Sequence, residues 1–135
     1  MYGTYVVVDL QMRKSDALVY CKVMGGHLAA FETETEFNHI VTHLERSKFH
    51  WIGGNDEGEE GTFVWDHSGV KLNDTFSKWF HPTGEPNNLK GEEHCLMILL
   101  EAFFDYKCDN KIAFICEISW KKYHLTETLC QPQSL

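Results

Sequence analysis

The spacing of apolar positions changes character along this chain. Tyr5-Val6-Val7-Val8 is aromatic and β-branched, a strand signal, and leads into a polar stretch ending at Ser15. Ala17, Leu18, Cys21 and Met24 then recur at helical spacing until Gly25-Gly26 stops the pattern, which predicts an amphipathic helix carrying Cys21 inward. Thr33-Glu34-Thr35-Glu36 reads as a capping box, and Phe37, Ile40, Val41 and Leu44 follow on one helical face, predicting a second helix. Beyond it the pattern shortens. His50-Trp51-Ile52-Gly53, Thr62-Phe63-Val64-Trp65, Cys95-Leu96-Met97-Ile98-Leu99 and Ala113-Phe114-Ile115-Cys116-Glu117 read as short strands between turn residues. Two helices early and strands late predict an α+β domain. Trp51, Trp65 and Trp79 sit among apolar or strand-like neighbours and are expected in its core.

Between Asp66 and Glu93 lies a stretch rich in Gly, Pro, Asn, Asp and His with little periodicity. A loop of that length inside a compact domain is usually functional or disordered, and Trp79-Phe80 within it argues for order. The chain of 135 residues is one domain in size, with no internal repeat: residues 1–118 form it and residues 119–135 are a polar tail. Twelve Lys and Arg against 20 Asp and Glu give a net charge of -8, which repels phosphate backbones and anionic headgroups, so nucleic acid is a poor partner. Carboxylate clusters at Asp56-Glu57-Gly58-Glu59-Glu60 and Glu92-Glu93 favour a hard cation instead. No apolar run approaches the roughly 20 residues needed to span a bilayer, and the start lacks the regions of a signal peptide. The chain is expected to be soluble without membrane insertion, as a mature secreted domain with its leader replaced by Met would be.

Five cysteines, Cys21, Cys95, Cys108, Cys116 and Cys130, show no Cys-x-x-Cys or zinc-finger spacing. Reduced buried thiols in a cytosolic protein and a disulfide framework both remain open at this point. His39 and His43 stand one helical turn apart, but no metalloprotease Glu lies between them, and a solvated helix flank is expected. Asn73-Asp74-Thr75 is an N-glycosylation sequon, relevant if the chain is secreted. No nucleophile and base arrangement stands out, nor a carboxylate pair in a context that would raise one pKa, so an enzyme is not expected.

Gly25-Gly26-His27-Leu28-Ala29, Trp51-Ile52-Gly53-Gly54, Glu85-Pro86-Asn87, Glu93-His94-Cys95, Phe104-Asp105-Tyr106-Lys107-Cys108 and Phe114-Ile115-Cys116-Glu117 occur in this order. Together they resemble the C-type lectin domain family, over about Tyr5 to Glu117, in the style of secreted invertebrate members. The resemblance implies a C-type lectin-like fold: two helices, short antiparallel sheets and a long ordered ligand loop. It also implies disulfides Cys21–Cys116 and Cys95–Cys108, leaving Cys130 over. An interchain disulfide there, linking a homo- or heterodimer, is expected, with an exposed thiol as the alternative.

The resemblance further implies a Ca2+ cofactor held by Glu85, Asn87, Glu93 and Asp105, with a cis proline at Pro86 aiming the first two side chains at the metal. Calcium takes six to eight oxygen ligands, so several carboxylate and amide oxygens must converge. The same groups would hydrogen-bond sugar hydroxyls, carboxylates accepting and amides donating. Glu-Pro-Asn implies mannose-type glycans: mannose, N-acetylglucosamine and fucose. The pattern departs at Phe103-Phe104-Asp105, where the family usually carries Trp-Asn-Asp. Phe104 can neither ligate calcium nor donate to a hydroxyl, a loss of about 0.5–1.5 kcal/mol per hydrogen bond. Weaker binding is expected, with Phe104 stacking on an apolar sugar face as one rescue and multivalency another. An auxiliary calcium site maps to Asp56, Glu60, Asn88 and Glu93, with His94 where a further acid is usual. The expected role is extracellular glycan recognition, as in innate immunity; the alternative is a disulfide-linked protein-interaction domain with degraded sugar binding.

Overall fold

In the computed structural model, which describes residues 4–118, the first strand outruns its apolar signal: β1 is Thr4–Met12. Backbone pairing ignores side-chain polarity, and β1 lies antiparallel on the last strand from Thr4↔Ile118 to Met12↔Ile112, with a register shift between Val8 and Met12. Helix α1, Lys14–Val23, buries Lys14, Ala17 and Cys21 on one face and ends at Gly25, whose φ of +91° only glycine adopts readily. Helix α2, Glu34–Val41, starts at the expected cap: the Thr33 hydroxyl oxygen accepts from the Glu36 amide at 3.2 Å. It stops three residues short of Leu44, which still packs on the core.

The remaining strands are β2 (Gly26–Leu28), β3 (His50–Asn55), β4 (Val64–Trp65), β5 (Cys95–Leu99), β6 (Ala102–Tyr106) and β7 (Ile112–Ile118). They form one connected sheet of order β1-β7-β3-β5-β6, with β2 also on β7 and β4 on β3. The β3–β7 pair is parallel, where short antiparallel sheets were expected, and the other pairs are antiparallel. Strand β6 has no turn signal ahead of it because Leu100 and Glu101 both turn at positive φ, a conformation usually taken by Asn and Gly.

Successive residues of β5 go to opposite faces: Leu96 and Ile98 join a core with Phe37, Ile40 and Val41 of α2, while Cys95 and Met97 join a core with Ala17 and Cys21 of α1. The sheet is thus covered on both faces, which is why its central strands read as continuous apolar runs. Disulfides Cys21–Cys116 and Cys95–Cys108, each with Cα atoms 5.3 Å apart, fasten α1 to β7 and β5 to the chain after β6. A buried ion pair adds a third tie. Lys14 Nζ donates to Asp66 Oδ1 at 3.1 Å and to the Gly54 carbonyl at 3.2 Å, fixing the start of α1 to the beginning of the long loop.

Candidate functional site

The long loop is ordered by its aromatic residues. Trp65 donates its indole N–H to Thr75 Oγ1 at 2.9 Å, and Trp79 packs edge-on against Phe63 at 5.1 Å between ring centroids. Backbone bonds Phe103 N–Lys78 O (2.6 Å) and Phe80 N–Phe103 O (3.1 Å) then sew the loop onto β6. Two single turns of 3-10 helix, Leu72–Asp74 and His81–Thr83, and a tight turn over Leu89–Gly91 with Lys90 at a φ of +58° carry it to β5. Trp51 and Trp65 are fully buried, and Trp79 is half-buried against the core.

Sewing the loop to β6 brings the expected ligands together. The Glu85–Pro86 peptide is cis. Asp105, on β6 and 2% exposed, accepts the Asn87 amide on Oδ1 at 3.0 Å and the Asn88 amide on Oδ2 at 2.6 Å, so one buried carboxylate clamps the loop tip to the sheet. Glu85 Oε2 accepts from Asn87 Nδ2 at 3.0 Å and from the Thr83 hydroxyl at 2.7 Å. Glu93 Oε1 accepts the Leu89 amide at 3.1 Å, and the Glu93 amide donates to Asn88 Oδ1 at 3.1 Å. Glu85, Glu93 and Asp105 each offer an oxygen within 4.8 Å of the others.

The ion pairs among the described residues all lie elsewhere, so no cation among those residues pairs with these three carboxylates. The Glu85 carboxyl is pushed up to about 7, first by burial, then by its hydrogen bond with Asp105 and by the charges of Asp105 and Glu93. Burial chiefly, with the Asp105 charge, also raises Glu93. Crowded oxygens of this kind, carboxylate and amide on a fixed loop, suit a hard cation.

Two sequence expectations meet a different geometry. Phe104 is 9% exposed, stacked on Phe80 at 4.8 Å between centroids, and belongs to the α1-side core. Neighbours in a strand point to opposite faces, so its ring backs the site and offers sugar no stacking surface. The auxiliary group is also rearranged. Asp56 and Glu60 gather around His94, whose Nδ1 lies 3.0 Å from Asp56 Oδ1 and 3.2 Å from Glu60 Oε1. Asn88, expected there, instead braces Glu93. Burial, then the hydrogen bond and charge of Asp56, raise the Glu60 carboxyl; burial opposes His94's charge, but Asp56 and Glu60 outweigh it and raise the imidazole. Thr83 was invisible in the sequence as a brace for Glu85, since a lone threonine carries no signal. Asn73 is exposed on its turn, His39 and His43 are exposed with rings 5.7 Å apart, and Cys130 lies outside the described residues.

A family model described as the Lectin C-type domain matches residues 10–118. The chain is 31% identical over 108 residues to C-type lectin 37Db of Drosophila melanogaster, covering 77% of this chain and 69% of that protein. It is 32% identical over 116 residues to the human CD209 antigen, covering 85% of this chain but only 28% of the relative's length. Among solved structures, the mouse scavenger receptor C-type lectin carbohydrate-recognition domain superposes with a TM-score of 0.77 at 28% identity, covering 85% of this chain and 87% of that one.

Proposed function

Since the chain belongs to the C-type lectin domain family, we propose that it binds mannose-type glycans in a calcium-dependent manner through Glu85, Asn87, Glu93 and Asp105. The observation that carries this reading is the convergence of three carboxylates, from the loop and from β6, none of which forms an ion pair among the described residues. Asn87 beside Glu85 adds a donor next to an acceptor, the pairing that a sugar hydroxyl requires. Bound there, calcium would supply coordination positions for two neighbouring hydroxyls of the sugar. The chain's own part is to hold the oxygens in place beforehand: Asp105 fixes the loop tip, Thr83 fixes Glu85, and the Leu89 amide fixes Glu93. Mannose, N-acetylglucosamine and fucose are the ligand class that Glu-Pro-Asn implies, and extracellular glycan recognition is the setting, in keeping with two disulfides. Nothing in the site nominates catalysis.

Phe104 stands where the resemblance implies an amide and, with its ring in the core, gives the site neither a ligand nor a donor, which points to weak single sites and multivalent use. The same ring supports a second reading, a fold kept for protein contacts with sugar binding degraded. A glycan array with calcium and with EDTA separates them. Calcium-dependent signal on mannose, N-acetylglucosamine or fucose glycans is the expected result. Its absence, with a silent calcium titration, would reject the first reading and favour the second.

A further inference from the structure

We propose that Asp56, Glu60 and His94 form a second, separate cation site selective for a zinc-class metal over calcium. The three offer ligand atoms within 4.8 Å of one another, and none belongs to the Glu85 group. Calcium does not fit this set. It seeks six to eight oxygens, whereas here two carboxylates face an imidazole nitrogen. The other oxygens of an auxiliary calcium shell lie apart from this set: Asn88 Oδ1 accepts the Glu93 amide, and Glu93 groups with Glu85 and Asp105. One imidazole and two carboxylates are instead a ligand set that zinc takes readily, with a fourth position left to water.

The arrangement is also built beforehand. Asp56 is 2% exposed, its Oδ2 is held by the Gly61 amide at 2.9 Å, and its Oδ1 is left facing His94. Its own amide donates to the His94 carbonyl at 3.1 Å, locking the two chain segments that carry the ligands. A cavity of about 260 Å³ lined by Asp56, Glu57, Glu60 and His94 adjoins these atoms, enough for an ion and its water. Glu57 adds a carboxylate at its rim, and no Lys or Arg lines it. Buried oxygen, imidazole nitrogen and open volume at one place are what a borderline metal requires, and they hold whether or not the Glu85 group binds sugar.

The test is calorimetric titration of the full chain with Zn2+ in excess Ca2+, which competes for the Glu85 group. One equivalent of zinc is expected. His94→Ala and, as a second variant, His94→Asp should each weaken zinc binding at least about tenfold, since even loss of a group behind a ligand costs that much. The double variant His39→Ala/His43→Ala should leave it unchanged. Circular dichroism confirms that each variant is folded. No zinc binding by the native chain overturns the proposal; so does zinc affinity that survives both His94 variants, or that disappears with His39 and His43.

Discussion

Asp105 and Glu85 sit in one carboxylate cluster, yet their removal should have different consequences. Asp105 accepts both the Asn87 and the Asn88 amides, inside a part-buried junction. Asp105→Ala leaves both donors unsatisfied and should lower stability without calcium by roughly 2–4 kcal/mol. Glu85 loses only side-chain partners at the surface, so Glu85→Gln should leave the calcium-free fold within about 0.5 kcal/mol of native while weakening calcium binding. Urea midpoints measured with EDTA and with calcium distinguish the two; equal losses in EDTA would contradict the clamp assigned to Asp105. Glu85 also sets a pH dependence. Its folded pKa is raised, so protonation favours the calcium-free fold below about 7, and calcium must displace that proton. Calcium affinity should therefore fall as pH drops from 8 to 6, and less steeply in Glu85→Gln. Of the residues concerned, Glu85, Asn87, Glu93 and Asp105 could be named together only through the resemblance, since Asp105 lies on β6, far in sequence from the loop it holds. Phe104 was misread for want of a strand assignment over Ala102–Tyr106, without which its face could not be known. Lys14 was hidden in a polar stretch, its partner Asp66 lying 52 residues away.

At the scale of elements, Trp51-Ile52-Gly53-Gly54 supplied part of the resemblance, and the fold gives its glycines unequal physical reasons. A Cβ on Gly53 would lie 2.5 Å from the Leu28 carbonyl oxygen, because β3 passes directly over the end of β2 and the Gly53 amide donates to the Ala29 carbonyl at 2.8 Å. Backbone cannot retreat without breaking that bond. On Gly54 the nearest atoms would be Leu96 Cδ2 at 2.6 Å and Cβ at 3.0 Å; the first can move with a change of rotamer, and the second needs a shift of a few tenths of an ångström. Gly53→Ala should cost about 1–3 kcal/mol and Gly54→Ala measurably less, read from urea unfolding midpoints. The reverse order would show that the β2–β3 approach is not the constraint. Helix α2 was readable to its first residue because its cap is local chemistry. Strands β2 and β6 were not: β2 is three residues held by β7, and β6 follows a turn made by Leu100 and Glu101. Such elements exist through their partners, and a partner distant in sequence leaves no local trace.

For the whole molecule, periodicity and order of elements gave the α+β class, while the sheet order and the parallel β3–β7 pair depended on which strands meet. The proposed sugar site lies on β6, the outer strand of the sheet path, where an exposed loop can reach a glycan but a single shallow contact binds it weakly. Weak sites become useful in pairs. With Cys21, Cys95, Cys108 and Cys116 joined in two bridges, Cys130 is the fifth cysteine, and we propose that it links two chains. On a mannan-coated surface, two tethered sites convert the second contact into an intramolecular one, gaining roughly a hundredfold in avidity or more. Cys130→Ser should therefore run as a monomer on non-reducing gels, keep its affinity for free mannose in solution, and lose that surface gain. A native chain that is already monomeric without reductant would dismiss the linkage. A dimer whose surface binding is unmoved by Cys130→Ser would mean that the two sites cannot engage one surface together.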